Sequence, residues 1–231
     1  MTRNNPIKLL FTGLLIFVLL FNALPRGEAF AAGPSVFINE IHYDNDGTDA
    51  GEAIEIAGPA GADLTDWSIA LYNGSATQLN VYSTISLSGI IPDQQNGYGT
   101  LAFTQAGIQN GSPDGLALVD DSDSVVQFLS YEGTLTAVDG PAAGMTSVDI
   151  GVSETEDTPV GHSLQLTGNG SGYGDFTWDI PQANTFGAVN TGQNFEVVIV
   201  ESPPSVGATT PVNGATSAAI DANIEITFSE T

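Results

Sequence analysis

The chain has 231 residues, 42% of them hydrophobic, with 27 Asp and Glu against 3 Lys and Arg, and no Cys. That apolar content supplies a core and argues against wholesale disorder, while the lack of cysteine excludes disulfide staples, thiolate metal sites and cysteine nucleophiles. The three bases, Arg3, Lys8 and Arg26, all precede Phe30, and no Lys or Arg follows.

Arg3 and Lys8 lead into a mostly apolar run, Leu9 to Leu24, interrupted by Thr12, Gly13 and Asn22. Ala29-Phe30-Ala31 then supplies a cleavage pattern, so residues 1–31 read as a secretory signal peptide. The run is shorter than the roughly 20 apolar residues of a spanning helix. With no cysteine after it, a lipoprotein anchor is excluded. The expected location is extracellular, with no membrane association after cleavage. Cleavage removes every base and one acid, Glu28, and is expected to leave no internal salt bridge possible. Such a surface repels phosphate backbones, whose affinity for proteins comes mainly from Lys and Arg replacing counterions, so direct nucleic-acid binding is not expected.

From residue 32 to residue 197 the pattern is β throughout. Val36 and Ile38, with Phe37 and Ile41 on the other parity, mark a first strand, and Ile54 with Ile56 a second. Trp67, Ile69 and Leu71 alternate, as do Leu101 and Phe103, Leu116 and Leu118, and Leu164 and Leu166. Val126 and Phe128 share one face against Val125, Leu129 and Tyr131, and Phe195, Val197 and Ile199 form the last alternation. No window of about twelve residues carries the i, i+3, i+4, i+7 spacing of an amphipathic helix. Asn73-Gly74, Asn96-Gly97, Asn110-Gly111, Asp114-Gly115 and Asn169-Gly170 read as turns between the runs. The expected fold is therefore all-β, a two-sheet antiparallel sandwich. Asn73, Asn110 and Asn169 also stand in N-x-S sequons, which the turn role of Asn-Gly already explains.

Composition shifts after Phe195. Pro203-Pro204 falls in a stretch, 198–204, that reads as a linker. Residues 205–231 hold too few strands to cover a core, and their apolar alternation stops just after Phe228. They are expected to be an incomplete Ig-like module, weakly packed on the sandwich, at the front of something longer.

The run VFINEIHYDNDGTDAGEAIEIAGPAGADLTDWSIALYNG resembles the opening of bacterial lamin-tail domains, with their I-N-E-I strand, E-x-x-E-I and D-L-x-x-W segments. NGSPDGLALVDDSDSVVQFLSYEG and ANTFGAVNTGQ are similar to the version fused to secreted endonucleases of the endonuclease/exonuclease/phosphatase superfamily. PVNGATSAAIDANIEITFSE resembles the start of a surface-layer-type bacterial Ig-like module. The resemblance covers about Val36 to Gln193. It implies an Ig-like sandwich that serves as a non-catalytic accessory module, with the nuclease activity in a downstream domain that these residues do not include.

Candidate chemistry is sparse. Gly161-His162-Ser163 resembles the start of a nucleophile elbow, but Gln165 stands where the second glycine belongs and the strand pattern accounts for it. His42 has no supporting motif for a Ser-His-Asp set, and the two lone histidines read as strand-surface or packing residues rather than a site. There is no H-E-x-x-H, P-loop or G-x-G-x-x-G. The strongest constellation is Asp44-Asn45-Asp46-Gly47-Thr48-Asp49-Ala50-Gly51-Glu52. Carboxylates spaced around a glycine can converge on a hard cation, which makes Asp44, Asp46, Asp49 and Glu52 candidate calcium ligands. A second cluster, Asp120-Asp121-Ser122-Asp123, reads as a solvated hairpin turn. The sequence thus predicts no active site and no certain cofactor, with calcium as the candidate ion. Contacts are expected with cell envelope, matrix or a downstream domain. A calcium-dependent surface or adhesion module is the alternative, and a hydrolase in its own right a third class.

Overall fold

The computed structural model describes residues 34–196, 205–212, 214–217, 219 and 223–229. The signal-peptide and linker expectations, on 1–31 and 198–204, lie outside the described residues. Among the described residues thirteen strands follow in chain order: β1 (Phe37–His42), β2 (Ala53–Pro59), β3 (Ser68–Asn73), β4 (Val81–Ser86), β5 (Tyr98–Thr104), β6 (Asp114–Val119), β7 (Val125–Tyr131), β8 (Val148–Asp149), β9 (His162–Gly170), β10 (Phe176–Ala183), β11 (Gln193–Phe195), β12 (Ser205–Thr210) and β13 (Glu225–Ser229). One 3-10 turn, Tyr173–Asp175, precedes β10. No helix among the described residues is long and apolar enough to cross a membrane.

Two sheets make a β-sandwich. The first runs β10-β9-β1-β2-β5, with β11 parallel beside β9, and the second runs β4-β3-β6-β7-β8, with β8 parallel to β7. All other pairings in these two sheets are antiparallel. Ile41, Ile54, Ile56, Leu164, Leu166 and Trp178 of the first sheet bury against Ile69, Leu71, Leu116, Leu118 and Leu129 of the second. Each such side chain contributes about 2 kcal/mol by leaving water. The central strand β1 is buried on both faces. Its register with β2 shifts between Ile38 and Glu40, a bulge that frees the Ile38 N–H to donate to Gln127 Oε1 of the opposite sheet at 2.7 Å.

Each sheet also carries a cover on its outer face. Over the second, residues 135–146 bring Leu135, Ala137 and Ala142 onto Ala70, Tyr72, Ala117, Val119 and Phe128, forming a smaller apolar core. Over the first, residues 184–192 cross as a strap from β10 to β11. Asn96-Gly97 forms the two-residue turn expected of it: Gln95 and Tyr98 exchange both backbone hydrogen bonds, and φ is 54° and 81° at the turn. Asp114-Gly115 does not turn the chain but opens β6, where a Cβ on Gly115 would sit 2.8 Å from the Leu129 carbonyl oxygen. Asp120–Ser124 forms the hairpin turn expected of the second acidic cluster: Asp120 Oδ1 accepts from Ser122 N and Ser124 N and Asp123 takes φ 62°.

Within the described part of the tail, β12 and β13 pair only with each other among the strands, in an antiparallel sheet of their own. Val206, Val212, Ile224 and Ile226 are exposed there.

Candidate functional site

The β1–β2 connection carries the four carboxylates expected to hold calcium, and the fold does not converge them on one point. Among the described residues no group of three or more His, Asp and Glu could hold a metal ion. Glu52 is buried, and its two oxygens accept from the Gly107 and Ile108 backbone N–H groups, each at 2.8 Å. Asp49 accepts from Asn110 Nδ2 at 3.1 Å and, at the long distance of 3.4 Å, from Asn45 N. The side chain of Asp46 is exposed, while its N–H donates to Thr158 O. Asp44 is half-buried, and that burial, followed by the Asp49 charge beside it, raises its pKa. Two of the four, Glu52 and Asp49, are therefore engaged in fixing loops.

What anchors this loop is a buried His42–Glu154 contact, which corrects the expectation, drawn from Lys and Arg alone, that no internal salt bridge is possible. His42 Nδ1 lies 2.9 Å from Glu154 Oε1, with both side chains essentially inaccessible. The other ring nitrogen lies 3.2 Å from both Asn45 Oδ1 and the Ala50 carbonyl. Glu154 Oε2 accepts from Tyr43 N at 2.6 Å and from Asp44 N at 3.0 Å. Burial by itself would lower the His42 pKa, but the hydrogen bond and charge of Glu154 outweigh it and the net direction is upward. Tyr43 stacks on Tyr131 at 3.9 Å and receives the Glu154 N–H on its hydroxyl, which in turn donates to Glu132. Of the strand-surface and packing readings of His42, the fold gives burial; the partner, 112 residues away, has no local signal in the sequence.

A second polar cluster lies beneath the strap. Glu40 on β1 and Glu55 on β2 are direct cross-strand partners, and neither is solvent-accessible. Glu40 Oε1 accepts from Ser163 Oγ at 2.5 Å and from Thr185 N at 2.8 Å. Glu55 accepts from Asn39 Nδ2 at 2.9 Å and from Gly187 N at 2.6 Å. Asn190 ties the strap down by donating to the Asn39 and Leu166 carbonyls, each at 3.0 Å. Burial raises both carboxyl pKa values, Glu55 to about 8. The Gly161-His162-Ser163 elbow is the start of strand β9, and Ser163 donates its hydroxyl to Glu40. The ANTFGAVNTGQ run, quoted above only as a resemblance, is this strap.

An open concavity of about 520 Å³ on the tail is lined by Val206, Gly207, Ala208, Thr209 and Val212, and those described on the sandwich are lined mostly by polar residues. One of about 320 Å³ is lined by Asn73, Ser75, Gln109, Asn110 and the 111–114 segment. Its buried carboxyl, Asp114, is already receiving the Gly74 N–H at 2.7 Å. A smaller one is lined by Glu132, Asp149, Gly151, Val152 and Ser153. Catalysis needs groups within reach of a bound substrate, and His42, Glu154, Glu40, Glu55 and Ser163 are instead sealed in structural bonds.

No family model matches the chain, and neither a curated protein nor a solved structure matches it.

Proposed function

We propose that this chain is a secreted, non-catalytic β-sandwich accessory module of the lamin-tail type, belonging by resemblance to an extracellular nuclease. The observation that carries the reading is where acid–base side chains are spent: His42 on Glu154 and the β1–β2 loop, and Glu40, Glu55 and Ser163 on one another and the strap. Its role is to position or display, through a surface rich in carboxylates and without Lys or Arg. Its contacts run to cell envelope, matrix or a sister domain rather than to nucleic acid, whose phosphates the surface repels. A plasmid-nicking assay with magnesium or calcium, run on purified residues 32–231, tests it. Intact supercoiled plasmid is the expected result. Reproducible cleavage that survives repurification would overturn the accessory reading.

A further inference from the structure

Glu40 and Glu55 stand side by side on neighbouring strands, with zero accessibility and no Lys or Arg anywhere in the described chain to neutralise them. The other titratable group acting on Glu40 is Glu154, also acidic and committed to His42. The remaining neighbours are neutral: Ser163 and Gln165 on β9, Asn39 on β1, Thr100 on β5, and Thr185, Gly187 and Asn190 on the strap. Two like charges in one buried site repel strongly, so such a pair keeps a proton that separate carboxyls would release.

The hydrogen count around Thr185 says where a proton fits. Its Oγ1 lies 3.0 Å from Glu40 Oε2, 3.2 Å from Gln165 Oε1 and 3.0 Å from Asn190 Oδ1. One hydroxyl has one hydrogen to donate and cannot serve three acceptors. Neither amide can turn over to help. Asn190 Nδ2 is held by the Asn39 and Leu166 carbonyls, and Gln165 Nε2 by the Ala183 carbonyl at 2.8 Å. A proton on Glu40 Oε2 makes that oxygen the donor to Thr185 and frees the threonine hydrogen for Asn190 or Gln165.

We infer that the strap 184–192 is a proton-held latch: it lies closed over the first sheet while the Glu40–Glu55 pair retains its proton, and loosens when that proton is lost. The strap is joined to the pair by the two backbone N–H groups that the carboxyls receive, those of Thr185 and Gly187. Below the ordinary carboxyl value of 4.5 both folded and unfolded chains are protonated and the latch is fully effective. Its contribution is lost as pH rises through the elevated folded value, near 8 for Glu55.

Native-state amide exchange on the full chain, corrected for intrinsic rates, tests this. Protection of Thr185 and Gly187 should fall about tenfold or more from about pH 6 to about pH 9, while Ile54 and Leu116 hold theirs. Carbon-13 titration of the glutamate side chains should place the pair above the ordinary range. Glu40→Gln puts an amide N–H where the hydrogen count puts the proton, and should keep the strap protected at the alkaline end. Unchanged strap protection in the wild-type chain, or ordinary carboxyl titration, overturns the latch. Should Glu40→Gln not fold, the two wild-type measurements decide alone.

Discussion

The two sheets of the sandwich solve one problem by opposite means. Each has an outer face that must be covered, and each is covered by a single segment of chain. Over the second sheet the cover is apolar: Leu135, Ala137 and Ala142 close on Tyr72 and Phe128, whose rings meet at 5.1 Å. The buried polar groups there are neutral: the Tyr72 hydroxyl accepts from Ala142 N and donates to Asp139 O, and Ser147 Oγ accepts from Leu135 N and donates to Ser130 Oγ. Over the first sheet the cover packs Val189 but is tied down mainly by carboxyl groups. Apolar burial is indifferent to pH, whereas buried carboxyls are not. The same fold therefore has one face whose stability is fixed and one whose stability is set by protons.

The largest effect should come from the fixed face. Phe128→Ala empties the smaller core and should cost about 4 kcal/mol by urea denaturation, with the same cost at acidic and mildly alkaline pH. A cost that varies strongly with pH would break the contrast. Next comes the anchor of the acidic loop. Glu154→Ala removes the partner of His42 and the acceptor of two backbone N–H groups, and should cost about 3 kcal/mol. Because the His42 value is raised, the pair contributes fully below the ordinary 6.5 and loses its contribution as pH climbs past the folded value.

The proton-dependent face predicts a trend for the whole domain. Glu40 and Glu55 are raised by burial, so stability should fall on the order of 2 kcal/mol between about pH 5 and about pH 8. General repulsion among surface carboxylates runs the same way, and salt separates the two. At 1 M salt the Debye length is about 3 Å, which quenches surface repulsion but leaves a buried pair largely unscreened. A pH trend that vanishes in high salt would assign it all to the surface. A smaller effect belongs to the Asn96-Gly97 turn. Nothing stands within 4 Å of where a Gly97 Cβ would be, so Gly97→Ala meets only the conformational cost of φ 81°, about 1 kcal/mol.

How much of this could be read from the sequence divides along the same line. Period-two alternation announces Ile69/Leu71, Leu116/Leu118 and Leu164/Leu166 because each pair puts two large aliphatic side chains on one parity, and all three pairs lie in the larger core. It is silent on β4, where only two of the six residues of Val-Tyr-Ser-Thr-Ile-Ser are aliphatic, and on β8, which is two exposed residues. On β1 alternation misleads, since a central strand covered on both faces buries Asn39, Glu40 and His42 as fully as Ile41. The acidic loop was visible as composition, but a carboxylate's partner is not. Glu52 finds its two N–H groups 55 and 56 residues away, and Glu40 meets Thr185 after 145. Long-range pairs leave no spacing to read.

The last test concerns the ion that the acidic loop attracts on paper. Calcium binding requires six to eight oxygens gathered at bonding distance, and a site that binds only the folded chain raises stability by mass action. Here Glu52 is turned onto Gly107 and Ile108, and Asp49 is tied to Asn110. Asp44 and Asp49 remain adjacent, and a cation near them would relieve local repulsion without a full coordination shell. Screening of that kind depends on ionic strength and not on the identity of the ion. The melting temperature should therefore rise with added salt, and millimolar calcium should add nothing beyond sodium chloride of matched ionic strength. A saturable calcium increment, lost in Glu52→Gln, would mean that the loop reorganises around the ion and releases the 107–108 amides. The β1–β2 connection would then be a second ion-responsive element beside the strap, answering to calcium where the strap answers to protons.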